Sequence, residues 1–477
     1  MKKLLVSLLV ISACSGPSDA VSVKEDTTTT TNSDTIKVES EIITALNNAS
    51  DEAKNCIKDK WPNGVEHVLG GHIPNENETS LIYSCINNDE GMKQNNTEPL
   101  DEHRNAEPYD GYAGWKSRWE QKCEGTGTVM FTNSPMKIED IHSLTPYGQI
   151  VGGHITPIDH MYFEPKDRSL GRDVYEVRAI QDAVLFDIQH RDVSVETNEA
   201  QSRDWRVDMA HTCTFTSYFD LLTSLAPDIE KEWAITEGGR KAYWEGIPVK
   251  AGQLIGYVGA QTLDFGVYDY EVQLPGFINP SAYAQLEPWK IHTVDPFQYF
   301  PDATRNALLS KMIRKIEPRA GKIDHDVDGA LAGNWFQLDT NWYDGINQRM
   351  YWEGHLSVAP HEIDPTLWRI GVGFLDREDN HFIIVGEHNP SDVISMDKPV
   401  SYELKRYMVH ISSQPDKKWW IDPYSENDVY GVKIFQDFAG SVLLQLQEDG
   451  LLKLEVFLGE REEEVDGFTD SSRLYQR

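Results

Sequence analysis

From about residue 125 to the end, the chain runs in short stretches of β-branched and aromatic residues separated by turn residues. That texture restricts it to a mainly β, antiparallel architecture. The clearest stretches in the middle third are Thr128–Thr132, Tyr175–Ile180, Ala183–Phe186 and Gly256–Val258. Helical periodicity is confined to pieces such as Ala307–Ile313, which reads as a connector over residues 301–322. A length of 477 residues exceeds what one core supports, and a prior of roughly 150 residues per domain suggests about three units. With 13 Trp, 20 Tyr and 16 Phe, the chain has the material to fill several cores.

Residues 323–477 read as a β-barrel or sandwich of roughly eight strands. Trp368–Phe374, His381–Gly386 and Val432–Phe438 are strand candidates. Ser441–Leu458 is the strongest hairpin, with Leu444 and Leu446 on one arm, Asp449-Gly450 at the turn, and Leu452 to Leu458 on the other. Gly333-Asn334-Trp335 resembles the G-x-W that opens lipocalin-like barrels, and the tryptophans here (Trp335, Trp342, Trp352, Trp368, Trp419, Trp420) are expected in the core rather than around a ligand. His325, Asp326 and Asp328 are expected to form a solvated turn, not a cation site.

Acidic residues outnumber basic ones 77 to 44, for a formal net charge of −33. No basic face is available to neutralise phosphates, so nucleic acid is excluded as a partner.

Lys2 and Lys3 precede an apolar run, Leu4–Ile11, that is too short to span a bilayer. Ile11-Ser12-Ala13-Cys14 resembles the lipobox of bacterial lipoproteins, which implies cleavage after residue 13, lipidation of Cys14 and attachment to a membrane through acyl chains. Ser15 after the cysteine points to the outer membrane or a periplasm-facing surface of the cell envelope. Residues 14–50, rich in Ser, Thr, Asp and Asn, lack the apolar surface to offset ordering and read as a tether of roughly 30–35 Å reach. Residues 51–124 form a further segment containing cysteines. Cys56, Cys85, Cys123 and Cys213 are compatible with two disulfides, the favoured pairing being Cys56 with Cys85, which leaves Cys123 for Cys213.

Residues 125–300 carry the chemical signal. In order come Gly153-His154 through Asp159-His160, Val177-Arg178-Ala179-Ile180-Gln181-Asp182-Ala183-Val184, Ala210-His211 leading to Tyr218-Phe219-Asp220-Leu221, Val249-Lys250-Ala251-Gly252-Gln253-Leu254-Ile255-Gly256-Tyr257-Val258-Gly259, and Leu263-Asp264-Phe265. This succession resembles the core of the lysostaphin-like (LytM-type) zinc metallopeptidases, which cut peptide cross-links in bacterial cell walls. The resemblance implies an antiparallel sheet of the duplicated hybrid motif type. It also implies a zinc site built from a His, an Asp four positions on, and one His of a late H-x-H, with the other His of that pair and one from a Y-x-H-L block assisting the attacking water.

Residue by residue, the pattern is degraded. His154 and Asp159 are five positions apart rather than four. The late H-x-H reads Thr262-Leu263-Asp264, and the other block ends in Asp220-Leu221, so Thr262 and Asp220 replace the two assisting imidazoles. The expected metal set is therefore His154, Asp159 and Asp264, holding one divalent cation: zinc, or, with more oxygen in the shell, manganese, magnesium or calcium, and none if the site is fully degenerate. Asp220 is the remaining candidate for a general base, a weak one. His160, expected on the opposite strand face from Asp159, and His211 are secondary cleft candidates.

Two functions follow from these expectations. The first is an envelope-anchored lipoprotein whose degenerate peptidase-like domain binds peptidoglycan or regulates a wall hydrolase. The second is an active metal-dependent endopeptidase acting on peptidoglycan cross-links through a His/Asp/Asp site. The missing imidazoles favour the first.

Overall fold

Strand β10 (Leu263–Asp269) shows how the sequence builds the first half of the fold. Leu263, Phe265 and Val267 alternate with Asp264, Gly266 and Tyr268, so one face of the strand is apolar and the other carries functional groups. The computed structural model describes residues 116–191, 204–234 and 246–477 except 285, 346–349, 378, 395–397 and 412–428, and earlier positions 54, 56–58, 65, 68 and 82. The leader, Cys14, the tether, Cys85, Trp419 and Trp420 lie outside the described residues.

Strand β10 lies third in a seven-stranded sheet. Its order is β1 (Ile141–Thr145), β2 (Met161–Pro165), β10, β6 (Phe215–Leu222), β5 (Asp204–Thr212), β4 (Ala183–Arg191) and β8 (Ile247–Val249), with every neighbour antiparallel. A smaller sheet, β3 (Tyr175–Arg178), β9 (Leu254–Val258) and β7 (Ser224–Leu225), covers the apolar face. Phe163, Phe219 and Phe265, from three adjacent strands, are sealed between the sheets, each contributing about 2–3 kcal/mol of burial. A short helix, α1 (Pro227–Ala234), follows β7.

The second half is a closed, antiparallel eight-stranded barrel, not a sandwich. Its strands are β11 (Gly333–Gln337), β12 (His355–Pro360), β13 (Trp368–Val372), β14 (His381–Val385), β15 (Val400–Ile411), β16 (Tyr430–Leu446), β17 (Leu452–Leu458) and β18 (Arg473–Gln476). Closure comes from β11, which pairs with both β12 and β18. An eight-stranded barrel is narrow enough for side chains to fill, and Trp335, Leu356, Ile370, Phe382, Leu404, Val442, Leu454 and Tyr475 fill it. Trp335 donates Nε1–H to Leu331 O at 3.0 Å and lies under Arg477, whose Cζ is 4.1 Å from its ring centroid.

Sheet and barrel belong to one compact unit, residues 107–477. That unit begins earlier than the expected boundary at 124/125: Trp119 is fully buried against Phe186 and Tyr270, and Cys123 is bonded to Cys213. Cys56 is also disulfide-bonded. The barrel grips the segment between β1 and β2: Arg369 Nη2 donates to Gly148 O at 2.8 Å, Asn380 Nδ2 to Gly152 O at 2.8 Å, and Ser357 Oγ to Ile155 O. Arg369 is wholly buried and ion-paired to Glu362 at 2.6 Å. The connector is helix α2 (Asp302–Lys311), followed by Met312, which bridges to Leu144 and covers the outer edge of β1.

Two local expectations change. Thr128–Thr132 is extended but not a strand, because its N–H groups go singly to separate segments: Phe131 to Tyr299 O and Thr132 to Ile180 O. The β16–β17 hairpin closes through Gln447–Leu451 rather than a two-residue turn, with Gly450 at φ 82°.

Candidate functional site

The polar face of the large sheet carries Asp220 and Asp264, two of the residues that the sequence singled out. Cross-strand register sets Tyr162 of β2 opposite Asp264 of β10, and Asp264 opposite Asp220 of β6. Two carboxylates facing each other across a ladder are unfavourable unless cations attend them. Two cationic groups do. Arg206, on β5, lies over the Tyr218 ring with Cζ 3.8 Å from its centroid, bonds Asp208 through two nitrogens at 3.0 Å, and approaches Asp220 at 3.8 Å. Gly266 makes room for this stack, since a Cβ there would come 2.4 Å from Tyr218 Cε1.

The other is His160, cationic when protonated. Its Nδ1 lies 3.3 Å from Asp159 Oδ1, and its Nε2 lies 3.4 Å from Asp264 Oδ2 and 3.3 Å from the Tyr162 hydroxyl. Burial works against the imidazolium, but the charge of Asp264 and then the hydrogen bond and charge of Asp159 overcome it, so the pKa of His160 stands above its ordinary value. For Asp159, burial works against the carboxylate. Lys290, His160 and the Tyr268 hydroxyl, which donates to Oδ2 at 2.9 Å, hold it well below the usual range. Both shifts run in the direction that favours the proton on histidine and the charge on aspartate.

This corrects the expectation that His160 points away from Asp159. Strand alternation does not reach them, because β2 begins at Met161 and both residues lie in the bend before it. Their side chains therefore turn towards one another.

His154 lies beside this cluster, its ring centroid 5.9 Å from that of His160. Burial drives its pKa down to about 3, with the positive charges of His160 and Lys290 adding to the effect. His154, Asp159 and Asp264 do not assemble as a ligand set: among the described residues, no three His, Cys, Asp or Glu side chains are grouped so as to hold a metal ion. His160 presents one ring nitrogen to each carboxylate, Nδ1 to Asp159 and Nε2 to Asp264.

The replaced catalytic positions are equally committed. Thr262 donates Oγ1–H to Phe163 O at 3.2 Å. Asp220 accepts the N–H of Leu221 at 2.7 Å through Oδ1. His211 is not with them: it lies against Phe131 and Phe215 of the inter-sheet core, with Nδ1 donating to Asp182 O at 3.1 Å and Nε2 at 2.8 Å from Ser217 Oγ.

Tyr162 connects the buried cluster to a cleft of about 430 Å³ between sheet and barrel. Thr262 and Glu164 line it from the sheet; Glu362, His381, Tyr407 and Met408 line it from the barrel. Sequence reasoning missed Tyr218, Tyr268, Arg206 and Lys290. For the tyrosines a signal was present: they share strand parity with Asp220 and Asp264. No family model matches this chain, and no curated protein matches it.

Proposed function

We propose that this chain is an envelope-anchored lipoprotein whose large sheet is a degenerate cell-wall metallopeptidase-like core, holding a wall fragment in the cleft between sheet and barrel instead of cutting it. The observation that carries the reading is His160, positioned between Asp159 and Asp264. In a hydrolase of this type the carboxylate and imidazole ligands face a metal with an open position for water. Here the carboxylates face the His160 imidazole, and Thr262 and Asp220 stand where the resemblance calls for proton-carrying imidazoles.

The cleft supports a binding role. Pairing of β14 with β15 ends at Lys405, whereas β15 continues to Ile411 on β16 alone. Tyr407, Met408 and Val409 from that continuation form part of the cleft wall. Among the described residues that edge of β15 carries no ladder partner beyond Lys405, and such an edge is a place for an extended peptide to add by backbone hydrogen bonding, with Tyr162 and Tyr407 to contact its side chains. Membrane attachment through Cys14 would hold this cleft near the wall.

The test is to purify the chain, measure bound metal, and incubate it with isolated bacterial wall. The expected result is co-sedimentation with wall, weakened by Tyr407→Ala, with no release of peptides and no stoichiometric metal. Stoichiometric metal together with peptide release that disappears in His154→Ala would overturn the reading. It would instead establish the alternative, an active metal-dependent endopeptidase using His154, Asp159 and Asp264.

A further inference from the structure

A second cleft, of about 390 Å³, lies beside the barrel and is built differently. Arg377 and Arg473 line it together with Trp352, Phe374 and Leu375, and Glu353 is the single carboxylate among the described lining residues. Both guanidinium groups are stacked on aromatic rings. Arg473, on β18, has its Cζ 3.9 Å from the centroid of Phe374, and Arg377 has its Cζ 5.0 Å from that of Trp352. Nη1 of Arg473 donates to Gln337 Oε1 at 3.0 Å, which fixes the plane of the group. The Gly152-Gly153 turn is shaped around the other stack: a Cβ on Gly153 would come within 3.2 Å of Arg377 Nη2 and 3.3 Å of the Trp352 ring.

Stacking occupies the face of a guanidinium and holds its N–H fork in a fixed plane, the geometry that suits carboxylate and phosphate oxygens. Two such groups share one cavity in a chain whose formal net charge is −33. In an anionic field, a recessed cationic lining is the feature that gathers anions locally. Phe374, Leu375 and Met350 supply an apolar wall next to these donors.

We infer that this cleft binds a small organic oxyanion, a carboxylate or phosphate carried on an apolar body, with its oxygens on Arg377 and Arg473 and its body against Leu375 and Met350. The inference is independent of the reading of the sheet and its cleft.

The experiment is calorimetric titration of the full chain with benzoate, phenyl phosphate, inorganic phosphate and the neutral amide benzamide, at low and high salt. Benzoate or phenyl phosphate is expected to bind more tightly than inorganic phosphate, more weakly at high salt, and benzamide not at all. Whichever of the first two binds more tightly identifies the oxyanion. Arg473→Gln and Arg377→Gln are each expected to weaken binding on the order of tenfold or more, as loss of a charge-assisted hydrogen bond implies. Arg473 also ties β18 to β11 through Gln337, so its variant is checked by thermal melting, and Arg377→Gln carries the test if Arg473→Gln does not fold. Absence of binding by all three anions, binding of benzamide equal to benzoate, or affinity unchanged in Arg377→Gln would overturn the proposal.

Discussion

Nε2 of His160 lies 3.4 Å from Oδ2 of Asp264, although one residue precedes β2 and the other belongs to β10. The contact makes His160, when protonated, the charge partner of a buried carboxylate row. Replacing it with a neutral group leaves Asp159 and Asp264 buried without that cation, and breaking a buried ion pair on one side costs about 3–5 kcal/mol. His160→Gln is therefore expected to lower the unfolding free energy by that amount, read as a urea midpoint shifted to lower concentration. The double variant His160→Gln/Asp264→Asn should lose less than the sum of the single changes, because the two groups are coupled. A His160→Gln midpoint within error of the parent would show that the histidine carries no charge there.

The parts of the site that were legible in the sequence lie on regular strands. Asp264 and Asp220 were reached through the resemblance, as replacements in the late H-x-H and the Y-x-H-L block; their parity with core phenylalanines, Phe265 and Phe219, then sets them opposite one another on the polar face. His160 was read as a secondary candidate, but its orientation was not readable, since it is decided in a bend where no period applies. Lys290 and Arg206 reach the site from outside the motif blocks, through register and packing that local pattern does not encode. In the barrel, the Leu444–Leu454 hairpin follows directly from alternation and a turn. Closure does not, because it depends on the pairing of β11 with β18, segments separated by most of the domain.

The junction between sheet and barrel rests on a second buried pair. Arg369 is fully enclosed, 2.6 Å from Glu362, and also holds Gly148 O. Burial pushes the carboxyl of Glu362 upward, and Arg369 opposes that push. Arg369→Met is expected to destabilise the 107–477 unit by about 3–5 kcal/mol, while Arg369→Met/Glu362→Gln should recover part of the loss, since the stranded charge is then gone. Denaturant titrations of the two variants check this, and equal stabilities would contradict it.

Cys123 and Cys213 are bonded across a sequence separation of 90 residues, tying the entry segment to the β5–β6 turn. Closing a loop of that size in the unfolded chain stabilises the fold by about 4–5 kcal/mol in the chain-entropy description. Cys123→Ser/Cys213→Ser is expected to show a loss of that order in equilibrium unfolding, and a loss below about 1 kcal/mol would mean that the entry segment is held by Trp119 packing instead.

Protonation should make stability fall on both sides of a narrow optimum, and different histidines set the two limbs. His355 is buried, with Nε2 donating to Tyr343 O at 2.9 Å, and burial drives its pKa to about 3; burial likewise lowers His211 to about 4. Each binds its proton in the unfolded chain near the ordinary value of about 6.5 but refuses it when folded, so the unfolded state holds more protons between those limits. Their contribution is therefore complete above about pH 6.5 and is lost as pH falls towards 4 and then 3. His160 runs the other way. Its folded pKa is raised, so its contribution is complete below about pH 6.5 and disappears as pH climbs through that raised value. Urea midpoints measured across pH should thus show an acid limb and a neutral-to-alkaline limb. His160→Gln should flatten only the second, and a profile in which that limb persists in the variant would assign it to another group.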